Sequence, residues 1–223
     1  MKLLENPRLG AITDFLTERE IGDRILDGRV EAFSCKRAGE DKKLSKKLDQ
    51  QYLDECESAP GSVGSSPLGA LSDSSTRRLL IDLISTMNAS FPDHDFSSLR
   101  PEQFTREVGA HFVHRSISQQ LSELPDLGGD FLAELWAAVE EAVQLTECEV
   151  YSYVPDLDSD PFSEGGLWSF NYFFFNKSLK RILYFTCIAR SKYGRRDDGM
   201  SDEDDRIPQD DDDDGEVAGE VDF

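Results

Sequence analysis

The chain has 223 residues, long enough for one domain with a sizeable core plus further sequence outside it. Its hydrophobic share of 38% stands against 31% charged residues, which excludes one compact, dry domain over the whole length, while 14 Phe and 2 Trp require a core somewhere. The formal net charge of −21 argues against autonomous binding to naked DNA, because phosphate contacts need clustered Lys and Arg, and suits a protein that meets basic protein surfaces.

Residues 1–5 predict a short strand. Asn6-Pro7 predicts a helix start, since Asn caps well and Pro suits the first helical position. Leu9, Ile12, Phe15 and Leu16 share one face of that helix. Residues 22–28 read as a turn with a short strand near Arg24–Leu26, and residues 29–35 alternate as a strand. A polar helix is expected from Ala38 to about Leu53. Residues 54–75 are rich in Ser, Gly and Pro and read as a mobile linker.

Residues 77–91 carry a helical apolar stripe of Leu79, Leu80, Leu83, Ile84 and Met87. Pro101 predicts one or two helices reaching about Leu124, and Asp130 caps an amphipathic helix to about Leu145. Strands follow at 148–154, 167–175 and 180–189, the last two joined by a tight turn at 176–179. The expected fold class is α/β of the α+β type, with a central antiparallel sheet flanked by helices. Neighbouring strands with helices on one face predict a two-layer sandwich. Residues 1–53 and 76–191 form two parts of one domain, and 192–223 is expected as a disordered acidic tail. Residues 197–223 hold 14 acidic residues and one Arg, so −13 of the charge lies there and −8 elsewhere.

Four Cys, at 35, 56, 148 and 187, form no CxxC pair, and His94, His111 and His114 complete no zinc spacing. His111 and His114 read as a packed or partly exposed pair. The chain opens without a secretory pattern, and no apolar run approaches the roughly 20 residues of a membrane helix. Free thiols in cytosol or nucleus are therefore expected, with no metal, no cofactor, no membrane contact and no catalytic constellation.

Asp156, Asp158 and Asp160 alternate between Pro155 and Pro161. An EF-hand loop would need Gly and Glu where Pro161 and Leu167 stand, and helical flanks. A phosphatase of the haloacid dehalogenase type would need a buried strand end, which Pro155 spoils, and partner residues that are not evident. The preferred reading is a stiffened loop that binds a basic partner. Trp168, Phe170, Tyr172 and Phe174 share one strand face, with Ser169, Asn171, Phe173 and Phe175 on the other. Core packing is the preferred reading. Stacking on single-stranded RNA, with Lys177, Lys180 and Arg181 nearby, is the alternative, as is a metal-dependent phosphatase built on the aspartates.

Lys42-Lys43-Leu44-Ser45 suits a basophilic kinase, making Ser45 a candidate regulatory phosphorylation site. Lys192, Arg195 and Arg196 are the nuclear-import candidate.

Residues 155–162, Pro-Asp-Leu-Asp-Ser-Asp-Pro-Phe, followed by 167–182, Leu-Trp-Ser-Phe-Asn-Tyr-Phe-Phe-Phe-Asn-Lys-Ser-Leu-Lys-Arg-Ile, resemble the signature of the Maf-type global repressors of RNA polymerase III. Residues 1–6 and 28–36 resemble the N-terminal block of that family. The resemblance implies a central antiparallel sheet formed by both blocks across a mobile linker. It implies a non-enzymatic negative regulator that binds the clamp and initiation-specific subunits of RNA polymerase III. Bound there, it would keep promoter-bound initiation factor from recruiting the enzyme. It further implies control by protein kinases and phosphatases, with shuttling between cytoplasm and nucleus. Asp156, Asp158 and Asp160 would be polymerase contacts, and Lys177, Lys180 and Arg181 join them as partner-binding candidates.

Overall fold

The structure is a computed structural model that describes residues 1–37, 39–58, 66–122, 130–154 and 166–193. A short strand β1 (Lys2–Leu3) leads into α1 (Pro7–Leu16). Asn6 caps this helix: its side-chain oxygen accepts from the backbone N–H groups of Arg8 and Leu9 at 3.0 and 3.3 Å. Leu9, Ile12 and Leu16 are its buried face. β2 (Arg19–Ile21) turns tightly into β3 (Arg24–Ser34), and Gly22 supplies the left-handed φ of +60° that the turn requires.

Residues 22–28 were expected as a turn with a short strand near Arg24–Leu26; the turn is confined to residues 22–23, and β3 runs from Arg24 on through Gly28. Gly28 is there for packing: a Cβ at that position would lie 3.0 Å from Leu16 Cβ and 3.4 Å from Cys187 Sγ. The glycine lets α1 approach the strand closely.

Two helices follow, α2 (Glu40–Ser58) and α3 (Ser74–Ser90). Residues 54–58, assigned to the linker on composition, continue α2. Residues 66–73, assigned likewise, pack on the domain: Ser66 bridges Gly69, and Leu71 is buried. The buried Arg77 holds this stretch, donating to the Leu71 and Ser72 carbonyls at 2.8 Å each and to Asp49 on α2 at 2.7 Å. Residues 59–65 lie outside the described residues.

Pro101 starts only a single 3-10 turn, Pro101–Gln103, where a helix was expected. It leads into the edge strand β4 (Phe104–Arg106), whose Phe104 is fully buried. The helix proper is α4 (Ala110–Ser122), followed by α5 (Asp130–Val143). The strands β5 (Glu149–Tyr153), β6 (Gly166–Asn176) and β7 (Arg181–Ser191) complete the domain.

All strands join one sheet in the order β1-β3-β7-β6-β5-β4, with β2 also beside β3, and each pairing is antiparallel. β3 and β7 pair over their whole length, from Arg24 opposite Ser191 to Ser34 opposite Arg181. The central antiparallel sheet flanked by helices is thus as expected, but helices cover both faces rather than one. Leu183, Phe185, Cys187 and Ala189 of β7 join the core shared with α1, α4 and α5. Ile182 and Tyr184 join the core shared with α2 and α3. Strands buried on both faces lose the alternation of polar and apolar residues, which is why β6 and β7 read as continuous apolar runs. The architecture is three layers.

The second core is aromatic at its centre. Phe173 stacks on Tyr184 with ring centroids 4.6 Å apart and lies 6.1 Å from Phe104. Phe173→Ala should destabilise the domain by about 3–5 kcal/mol through lost burial and a residual cavity. Urea unfolding followed by tryptophan fluorescence measures this, and an unchanged midpoint would contradict the packing.

Candidate functional site

Asp156, Asp158 and Asp160 lie outside the described residues, but the chain on either side of them is placed. β5 leads to Val154, and β6 begins at Gly166, opposite Arg190 of β7. Gly166 therefore sits at the end of the sheet where β3 starts and where β7 ends at Ser191, while β5 stops short of that end, its Ser152 standing opposite Tyr172. The chain leading to residues 197–223 departs from the same end. Described charges there cancel in pairs: Lys192 with Glu20 at 2.5 Å, Arg24 with Asp23 at 3.6 Å, and Arg190 with Asp27 at 4.0 Å. Val154 and Leu167, 59% and 55% exposed, flank the loop, with Leu167 at a register shift between Gly166 and Trp168.

Lys192 is more than a surface cation. Its backbone N–H donates to the Asp23 carbonyl at 2.9 Å, and Glu20 raises its pKa. It thus continues the β3–β7 pairing one residue past Ser191, whereas Arg195 and Arg196 lie outside the described residues.

Lys177, Lys180 and Arg181 occupy the β6–β7 turn at the far end of the sheet. An eleven-residue strand spans roughly 35 Å at about 3.3 Å per residue, so this turn stands a strand's length from Gly166, where the chain enters β6. Arg181 donates to the Ala142 carbonyl at 2.9 Å, and the buried Asn176 donates to the Val143 carbonyl at 2.8 Å. Together they satisfy carbonyls at the C-terminus of α5 that have no partner within the helix. Lys180 holds a left-handed φ of 53°, and its carbonyl accepts from Cys35 N–H at 2.9 Å. Lys177 pairs with Glu149 at 3.5 Å, and Arg106 meets the same carboxylate at 3.2 Å. Burial pushes the Glu149 pKa up, but Tyr151, Lys177 and Arg106 together hold it below its ordinary value.

Ser45 sits half-buried on α2, and Arg37 Nη1 donates to its Oγ at 2.6 Å. Arg37 also donates through Nε to Asp82 Oδ1 at 3.0 Å, makes a very short contact to it through Nη2, and donates to the Arg78 carbonyl at 3.1 Å. One guanidinium thereby links the end of β3, α2 and α3. Burial pushes the Asp82 pKa up, with Arg37 opposing, and burial next to Asp82 pushes the Cys35 thiol up to about 12. The sequence reading missed this node, because Asp82 occurs within an otherwise apolar helical stretch and nothing local marks Arg37 as its partner.

His111 and His114 lie on α4. The His114 ring is 4.1 Å from Trp136, and partial burial followed by the nearby His111 lowers its pKa. His114 is thus packed on a neighbouring ring. Among the described residues no group of three His, Cys, Asp or Glu side chains could hold a metal ion.

The profile of the family described as "Maf1 regulator" matches residues 26–186, a span that begins in β3 and ends in β7. The chain belongs to the Maf1 family. Among curated Maf1 relatives, the "Repressor of RNA polymerase III transcription" of Dictyostelium discoideum is 34% identical, covering 93% of this chain and 91% of the relative. The Schizosaccharomyces pombe "Repressor of RNA polymerase III transcription maf1" is 35% identical, covering 96% of this chain and 97% of the relative. The crystal structure of citrus MAF1 superimposes with a TM-score of 0.62 at 38% identity, covering 82% of this chain and 99% of that chain.

Within this Maf1 domain, Arg37→Ala should destabilise by about 3–5 kcal/mol, because it leaves Asp82 buried without its cation. The double variant with Asp82→Asn should recover part of that loss. Equilibrium unfolding of the two variants tests the node; equal losses would sever the proposed link between these residues.

Proposed function

We propose that this chain represses transcription by RNA polymerase III as a non-enzymatic regulator that binds the polymerase directly. The observation that carries this reading is the near full-length likeness to curated repressors, 96% of this chain against 97% of the fission yeast relative. Bound to the clamp and initiation-specific subunits, it keeps promoter-bound initiation factor from recruiting the enzyme. The acidic loop supplies the contact with basic residues, and its charge suits surfaces that nucleic acid would otherwise use.

The fold favours a protein partner over RNA. Phe170, Phe173 and Phe174 of the aromatic strand are buried between helices and sheet. Base stacking needs exposed ring faces. The turn cations that would support RNA are partly committed to the end of α5 and to Glu149.

Phosphorylation would control the activity through Ser45. A phosphate there brings about −1.5 to −2 charge beside Arg37, where it competes with Asp82 for the guanidinium and loosens the α2–α3 contact. The modified protein is held in the cytoplasm, and dephosphorylation by a phosphatase returns it to the nucleus, with Lys192, Arg195 and Arg196 as the import element. A basophilic kinase should label Ser45 in the purified protein, and Ser45→Ala should abolish that labelling; label retained in the variant places the site elsewhere.

The deciding experiment is transcription of a transfer RNA gene by purified RNA polymerase III and its factors, with the protein added before or after polymerase recruitment. Strong repression only when it is added first supports competition for recruitment, and no repression in either order overturns the reading. Reversing charge at Asp158 and Asp160 should weaken repression while leaving the unfolding midpoint unchanged.

A further inference from the structure

The first half of α2 carries Lys42, Lys43, Lys46 and Lys47, all exposed. Lys42 and Lys46 are four residues apart, as are Lys43 and Lys47, so two like-charge pairs stack along one side of the helix. They also lie in its N-terminal half, where the helix dipole disfavours positive charge. Glu40 and Asp41 offset only half of the four charges, leaving residues 40–47 at +2. Among the described residues, Lys42, Lys46 and Lys47 form no ion pair. Lys47 lies close enough to Asp95 to help lower its pKa, behind the hydrogen bonds from Ser97. The β6–β7 turn differs, since Arg181 is bonded to α5 and Lys177 to Glu149.

We propose that this lysine face of α2 is a docking site for the acidic C-terminal segment of the same chain. The occupant follows from charge and reach. Residues 197–223 carry −13, including five consecutive aspartates at 210–214. Thirty residues follow Tyr193 and can extend up to about 100 Å, while a domain of this size has a radius of gyration of about 16 Å. The segment therefore reaches α2 wherever it leaves the sheet.

The tether does the thermodynamic work. It holds the aspartates at an effective concentration of about 1 mM, so a contact with an intrinsic Kd of about 0.5 mM is about two-thirds occupied in cis. Salt screens such contacts, with a Debye length of about 3 Å at 1 M ionic strength. A segment seated there covers the lysines beside Ser45 and is withheld from other basic surfaces until a competing polyanion displaces it.

The test is the acetylation rate of individual lysines in the full chain, read by mass spectrometry at low salt. The comparison is a full-length variant with D210N, D211N, D212N, D213N and D214N. Neutralising the aspartates should raise labelling of Lys42, Lys43, Lys46 and Lys47 by about threefold, the inverse of one-third left open, with Lys177 and Lys180 unchanged as internal references. In 1 M salt the two proteins should label alike, as expected for a screened contact. Equal rates at low salt overturn the proposal, and so does a rise confined to Lys177 and Lys180. Protection of α2 that grows with protein concentration assigns the contact to a second copy and overturns the cis assignment.

Discussion

The ladder between β3 and β7 is the constraint on which the rest of the domain depends. It joins residues 24–34 to residues 181–191 over eleven pairs, so the two ends of the domain share a single sheet. Closing a loop of that length is entropically unfavourable, and the burial that offsets it comes from both faces of the two strands. Phe185 and Cys187 on one side and Ile182 and Tyr184 on the other are all fully buried. The region matched by the Maf1 profile opens and closes in these two strands.

Two-sided burial also shapes what the surface can offer. With helices on both faces, the sheet offers partners mainly its ends and edges. One end anchors the aspartate loop and leads to the acidic segment, and its described charges are already paired. The other end carries the β6–β7 turn, whose cations hold the end of α5 and flank Glu149. Gly166, where the chain enters β6, and the turn cations are separated by the length of a strand, because a hairpin strand places its two ends at opposite ends of the sheet.

Arg37 and Arg77 do similar work on the α2–α3 side. Arg37 bonds the Asp82 carboxylate and the Arg78 carbonyl of α3 and the Ser45 hydroxyl of α2, while Arg77 bonds the Asp49 carboxylate of α2 and the Leu71 and Ser72 carbonyls. Arginine suits this role because its donors lie in a rigid plane and its charge persists when desolvated. Arg77 explains why residues 66–73, which by composition resemble a linker, are packed against the domain. Ser, Gly and Pro predict few apolar contacts of their own, but they do not prevent a neighbouring helix from binding the carbonyls they expose.

Local chemistry in the sequence determined where most elements lie. Asn6-Pro7 started α1, helical periodicity marked α3 and α5, and the turn at 176–179 marked the hairpin. The aspartate loop and the aromatic strand carried the family resemblance. Only the tertiary structure decided that β3 runs through Gly28, that Phe104 starts an edge strand, that helices cover both faces, and that Arg37 and Asp82 are partners. The reason is range. Caps, turns and periodicity depend on residues within about four positions of each other. Strand order, the second helical layer and the buried ion pair depend on residues tens to more than a hundred positions apart, whose meeting is settled by burial of the whole domain.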